Sequence, residues 1–247
     1  MIVYDHSHPI WRSEYDRHRR TNGAFTYSQD ICKWHLPVWR DLLGAEQSVA
    51  TCGIVPGATV QYLHERTHTE LSAETRLFVT TYKDLAVALG TRGLWLPNAV
   101  DADTLPAPNP HRDWVYFGNL VGAKRKSIEF LNGRGVDVVS CIENQNEALR
   151  RVAQYRYGIG VGRCALEMMA MGMKVMIFGK GLGGLIISHD DYERQREANF
   201  NSNVTTGAGS ISECMARIDE AMPINATFQA MAAEVRNRII EGWRKVA

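Results

Sequence analysis

Residues 157–172 read YGIGVGRCALEMMAMG, and a strand-like MKVMIFG follows at once. Glycines at 158, 160 and 162 would let a ligand approach the backbone just ahead of a helix. The first N–H groups of such a helix have no intrahelical partner and form a ready site for phosphate oxygens. Glu167 falls about one turn into it, where a carboxylate can accept from both hydroxyls of a ribose. This is nucleotide-binding chemistry. On that reading, replacing Glu167 by Ala should weaken donor binding with little loss of stability. The competing reading is a tight strand-to-helix turn with a surface glutamate.

Other segments offer other chemistries. His64-Glu65-Arg66-Thr67-His68 spells H-E-x-x-H, which on a helix sets two imidazoles on one face with a glutamate as base, the zinc-hydrolase arrangement. The preceding Val60-Gln61-Tyr62-Leu63 reads as a strand, which takes the two histidines off a shared helix face. Asp101-Ala102-Asp103 could hold a divalent cation between phosphates but reads as a solvated turn. Asp5-His6-Ser7-His8, after the first strand, reads as a polar loop rather than a metal pair. The run Gly179–Gly184 (GKGLGG) is either a phosphate or sugar loop or a surface loop, and no Gly-Lys-Ser/Thr closes it as a P-loop.

These residues need elements to position them. Apolar or β-branched runs predict strands at 2–4, 48–55, 59–63, 77–81 and 94–97, then at 114–117, 136–141, 157–161, 174–178 and 185–188. Helical spacing appears at 27–43, where Pro37 should kink or split the helix, and at 84–89, 124–131, 147–154 and 163–171. A last helix over 227–245 places Phe228, Met231, Val235, Ile239 and Trp243 on one face, able to pack back across both halves. Pro106, Pro108 and Pro110 alternate within DADTLPAPNPHR, which predicts a linker over 101–112. The expected organisation is a domain at 1–100, the linker, a second domain at 113–226 and the helix at 227–247. Alternating strands and helices predict an α/β fold with parallel sheets, and ligands at the strand C-termini.

Residues 165–172 resemble the carboxylate helix L-x-E-A-M-A-x-G of GT-B glycosyltransferases, especially family-4-like enzymes. Three further segments match in that family's order. TVQYLHE, ending in His64-Glu65, resembles a first-domain strand ending in His-Asp. LWLPNAVD (94–101) resembles I-P-N-G-V-D, and WVYFGNLVGAKRKSIEFL (114–131) resembles a strand–loop–helix reading F-V-G-R-L-x-x-x-K-G. The resemblance implies two Rossmann-like parallel-sheet domains facing a central cleft, in an unusually short chain. It implies that Lys124 or Arg125 clamps the donor diphosphate and that Glu167 holds the ribose. It also sets His64 beside the transferred sugar, with Gly118 lining the pocket. Gly160, Gly162 and Arg163 form the donor-side loop and helix start, and Gly23 in Asn22-Gly23-Ala24 replaces a glycine loop near the phosphates. Asn119 stands where the family usually has Arg, leaving cationic work to Lys124, Arg125 and Lys126. Ile159 stands where the first of the family's two glutamates would fall.

The same resemblance implies retaining, metal-independent transfer, with no cofactor beyond a nucleotide sugar, such as a UDP-sugar, as co-substrate. The opening T-N-G-A-x-T-Y-S is similar to short bacteriophage glycosyltransferase-like chains, which suggests hydroxymethylated pyrimidines in DNA as acceptor and a host-cytoplasm location. Two alternatives stand beside this: a non-catalytic nucleotide or nucleotide-sugar module, and an H-E-x-x-H zinc hydrolase.

Composition sets the outer bounds. The chain has 247 residues, 45% of them hydrophobic and 22% charged, enough apolar content for a real core and too much for a disordered chain. Lys+Arg 28 against Asp+Glu 27 gives a net charge of +1, so any polyanionic partner must be met by a local patch such as Arg12, Arg17, Arg19, Arg20 and Lys33. Five scattered cysteines without a C-x-x-C pair predict reduced thiols. No run of apolar residues approaches a membrane span or a signal peptide, so the expectation is a cytoplasmic protein without membrane insertion.

Overall fold

The computed structural model describes residues 2–3, 36–43, 49–50, 59–63, 71, 73–98, 100, 105–118, 129–140, 145–207, 209–223 and 228–247. The fold is mixed α/β with two parallel-dominated sheets, as the strand–helix alternation predicts. The chain divides into two compact units, Met1–Pro97 with Ala230–Ala247, and Asn98–Gln229.

In the first unit, β1 (Ile2–Val3), β2 (Val49–Ala50), β3 (Val60–Leu63), β4 (Leu77–Thr80) and β5 (Gly93–Trp95) form a wholly parallel sheet in sequential order. All four residues of β3 and of β4 are buried, as parallel strands covered on both faces must be. Helix α1 (Leu36–Leu43) carries Pro37 in its first turn, where a missing N–H costs nothing. Its Trp39 indole donates to the Tyr62 hydroxyl at 2.7 Å. Helix α2 (Lys83–Ala88) bridges β4 and β5.

The C-terminal helix, here α7 (Phe228–Arg244), belongs to this first unit from Ala230 onward. Val235 and Ile239 on its expected stripe are fully buried, each contributing about 1.5–3 kcal/mol relative to exposure. Trp243 meets Trp39 edge to face at 6.3 Å, and the Arg238 guanidinium lies 4.6 Å over the Trp95 ring. Gly242 sits where a β-carbon would come within 2.8 Å of the Leu94 side chain, so the helix lies close on β5.

The second unit has a different strand order. Strands β6 (Arg112–Gly118), β7 (Asp137–Ser140), β8 (Tyr155–Gly160) and β9 (Lys174–Phe178) are parallel, and β10 (Leu182–Leu185) is antiparallel. Their order is β7-β6-β8-β9-β10. Tyr116, Ile159, Met176 and Phe178 of these strands pack with Leu131, Cys214 and Ile218 into one core. Helices α3 (Gln145–Val152), α4 (Gly162–Ala170), α5 (His189–Glu197) and α6 (Ile211–Ala216) connect and cover the strands.

Two local features add to the sequence expectations. The proline-rich segment is tied to the second unit: the N–H groups of Asn109 and His111 donate to the carbonyls of Ala153 and Gln154 at 2.8 and 2.9 Å. Prolines at 108 and 110 fall on alternate positions, so they remove no donor from this pairing. The Gly179–Gly184 run turns directly into β10, three residues earlier than the expected strand at 185–188, so its second half is strand rather than loop. A β-carbon at Gly183 would fall 2.6 Å from the Ile177 side chain, and one at Gly184 would collide with the Thr206 carbonyl. Gly183 serves close antiparallel packing on β9, and Gly184 serves a close parallel bridge to Thr206.

Candidate functional site

The sheet of the second unit reverses direction between β6 and β8. The chain leaves β6 for β7 on one side, then returns through α3 to β8 on the other. An α/β sheet of this order opens a crevice at the strand C-termini on either side of the reversal, because neighbouring connections diverge there. Gly118 ends β6 and Gly160 ends β8. The sequential order of the first unit's described strands contains no such reversal.

Each glycine here has its own cause. Gly158 and Gly160 face α4: a β-carbon at 158 would lie 2.5 Å from the Met168 sulfur, and one at 160 would lie 2.8 Å from the Phe117 carbonyl. Both are small so that α4 and β6 can come close, which brings the β6 and β8 ends and the helix start together. Gly162 has φ +57, a left-handed turn that breaks the strand and begins the helix. Its N–H donates to the Phe200 carbonyl at 2.8 Å. The capping residue Val161 supplies no side-chain acceptor, so the first turn of α4 keeps its anion-attracting N–H groups without a side-chain cap.

Glu167 is not a surface residue. Its side chain is 2% exposed, and Oε1 lies 2.9 Å from Nε of Arg163, one turn earlier and 32% exposed. Residues 165–169 are all buried, so α4 is enclosed around most of its girth and its one carboxylate must be paired. Arg163 occupies the helix end where a cation is least favoured by the helix dipole. Neutralising Glu167 offsets that, and the guanidinium stays accessible beside the helix start. The expectation that Glu167 could be lost at little cost in stability is therefore corrected.

Sequence reasoning missed the segment that closes this site. Asn199 and Phe200 follow α5 with φ of 58 and 49, and a non-glycine pair in that region is uncommon. Phe200 is buried against Tyr192 at 5.7 Å, which holds its carbonyl on Gly162. The Asn98 amide donates to the Asn199 side-chain oxygen at 2.5 Å, so the N of the LPNAVD match reaches the same segment. The signal was present: Ser188 accepts from the Asp191 N–H at 3.1 Å, an N-cap that marks the start of α5.

Gly118, Gly160, Gly162, Arg163 and Glu167 thus lie around the end of β6 and the β8–α4 turn. Gly23, His64, Asn119, Lys124 and Arg125 lie outside the described residues, as do residues 5–8, 64–68 and 101–103. Among the described residues no group of three His, Cys, Asp or Glu side chains could hold a metal ion. None of the described helices is long and apolar enough to cross a membrane. Cys214 is buried in the core, and burial pushes its thiol up to about 11. No protein-family model matches the chain, and neither does any curated protein.

Proposed function

We propose that the chain is a GT-B-like glycosyltransferase whose nucleotide-sugar donor sits at the β6/β8 switch point. One observation carries the reading: the start of α4, which has no side-chain cap, the Arg163 guanidinium and the Glu167 carboxylate lie together at a strand-order reversal. The helix start and Arg163 suit a diphosphate, and Glu167 suits ribose hydroxyls deeper along the same helix. As the glycosidic bond breaks, negative charge grows on the diphosphate while the sugar gains oxocarbenium character. Donors fixed before the reaction stabilise that charge without reorganising. Lys124 and Arg125 supply the remaining cations, which is why transfer is expected without a metal ion and with retention of configuration. The family resemblance assigns His64 to the transferred sugar, Gly118 and Asn119 to the donor loop, and Gly23 to the phosphates. The proposed acceptor is a hydroxymethylated pyrimidine in phage DNA, and the proposed location is the host cytoplasm.

A second reading keeps the binding and drops the transfer. Ile159, where the family's first glutamate would fall, is fully buried within the core of the sheet. No carboxylate can reach a donor sugar from that position, and a non-catalytic nucleotide-sugar module needs none.

A K124A/R125A double variant separates the two. Under the transferase reading it loses turnover by about a hundredfold or more, because charge stabilisation in the transition state is removed. Its affinity for the bare nucleoside stays close to wild type. Release of nucleoside diphosphate measures the first quantity and calorimetry the second. Unchanged affinity for the diphosphate would place the clamp elsewhere.

A further inference from the structure

The opposite edge of the same sheet, where β8 and β9 begin, carries a cavity of about 570 Å³. That volume is in the range of small-molecule sites. Pro108, Pro110 and Met173 give it apolar walls. Its polar groups are few and unequally satisfied. Lys174 pairs with Asp219, Nζ to Oδ1 at 3.3 Å, and donates to the Asp219 backbone carbonyl as well. The Tyr157 hydroxyl donates to the same carboxylate at 3.4 Å. Asp219 is thereby matched to Lys174, one charge against one.

Arg156 is not matched. Its guanidinium lies 5.8 Å from the Tyr157 ring centroid and forms no ion pair with any described residue. The Tyr157 ring is held in turn by Trp114, centroid to centroid 4.9 Å. The cavity therefore presents an apolar wall, a fixed aromatic ring and one uncompensated, planar cation. A guanidinium presents paired donors that match a carboxylate, and a flat apolar body would fill the space beside proline, methionine and tyrosine.

We propose that this cavity is a second ligand site, for a small aromatic carboxylate whose acid group pairs with Arg156 and whose ring packs against Tyr157. The site stands apart from the switch point and does not depend on the nucleotide reading. The test uses the full chain with naphthoate as probe, titrated by calorimetry. Saturable one-to-one binding is expected, weakened about tenfold or more in Arg156→Gln, a change at an exposed side chain that leaves the fold intact. Asp219→Asn, which frees Lys174, should tighten binding severalfold. Glu167→Gln should leave it unchanged, and the neutral naphthyl alcohol should bind far more weakly. Equal affinity in Arg156→Gln, equal affinity for the alcohol, or loss of binding in Glu167→Gln would each overturn the assignment.

Discussion

Glu167→Ala should weaken nucleoside binding by about 1.5–3 kcal/mol and also lower the unfolding free energy by about 2–4 kcal/mol. The two effects have separate origins. Binding falls because the carboxylate proposed to accept from the ribose hydroxyls is gone. Stability falls because α4 is enclosed where residue 167 sits, so the variant leaves a void and takes away the carboxylate that Arg163 pairs with. The guanidinium is one-third exposed and water can recover part of its loss, which keeps the figure at the lower end for a broken buried pair. Glu167→Gln fills the void and divides the effects: most of the stability returns while ribose affinity does not. Denaturant unfolding and calorimetry on the same samples read both. Wild-type nucleoside affinity in a well-folded Glu167→Gln would remove Glu167 from the site.

Gly184→Ala should destabilise the second unit by about 3 kcal/mol, with no direct effect on nucleotide contacts. Gly184 has φ +85, where a side chain is strained, and its added β-carbon would run into the Thr206 carbonyl. That carbonyl accepts from the Leu185 N–H at 3.1 Å, and Thr206 N–H donates back to Gly183 at 2.9 Å, so the collision breaks a paired segment. Buried Gln195 ties the same place together, its amide donating to the Gly183 and Val204 carbonyls at 3.0 and 2.9 Å. Gly181→Ala is the control. Its β-carbon would approach nothing closer than the Ser202 carbonyl at 3.8 Å, and the change should stay within about 0.5 kcal/mol. Similar denaturation midpoints for the two variants would contradict the packing role of the β10 glycines.

That pair of glycines also illustrates what the sequence could and could not reveal. Strands β3, β4, β9 and the C-terminal part of β6 were legible because strands buried on both faces need continuous apolar runs. Strand β10 was displaced because LGGL has almost no side-chain signal, and the reason for its glycines lies in Ile177 and Thr206, contacts made only in the fold. Helix α5, HDDYERQRE, escaped a reading based on apolar period because its buried residues are Tyr192, Gln195 and Arg196. Caps would have found both missed helices. Ser188 with Asp191, and Ser210 with Glu213, place the hydroxyl and acid three residues apart at each start. At the proposed site, the glycines have causes within the fold that the sequence pattern did not show. Gly158 and Gly160 serve helix packing, and Gly162 serves the turn, while the proposed donor contacts are the start of α4 and the Arg163–Glu167 pair. The burial of Glu167 was illegible because a nine-residue helix shows which residues share a face, not how many faces its neighbours cover.

Donor turnover tests the proposed chemistry at the switch point most directly. The full chain is incubated with a panel of nucleotide sugars and hydroxymethylated DNA in the presence of a chelator. Nucleoside diphosphate release and sugar-bearing DNA are both quantified by mass spectrometry. One donor should be consumed, sugar should appear on the DNA in equal amount, and both signals should fall together in K124A/R125A. Saturable donor binding without diphosphate release would leave the binding-module reading in place of the transferase. No binding of any nucleotide sugar would contradict the donor site itself.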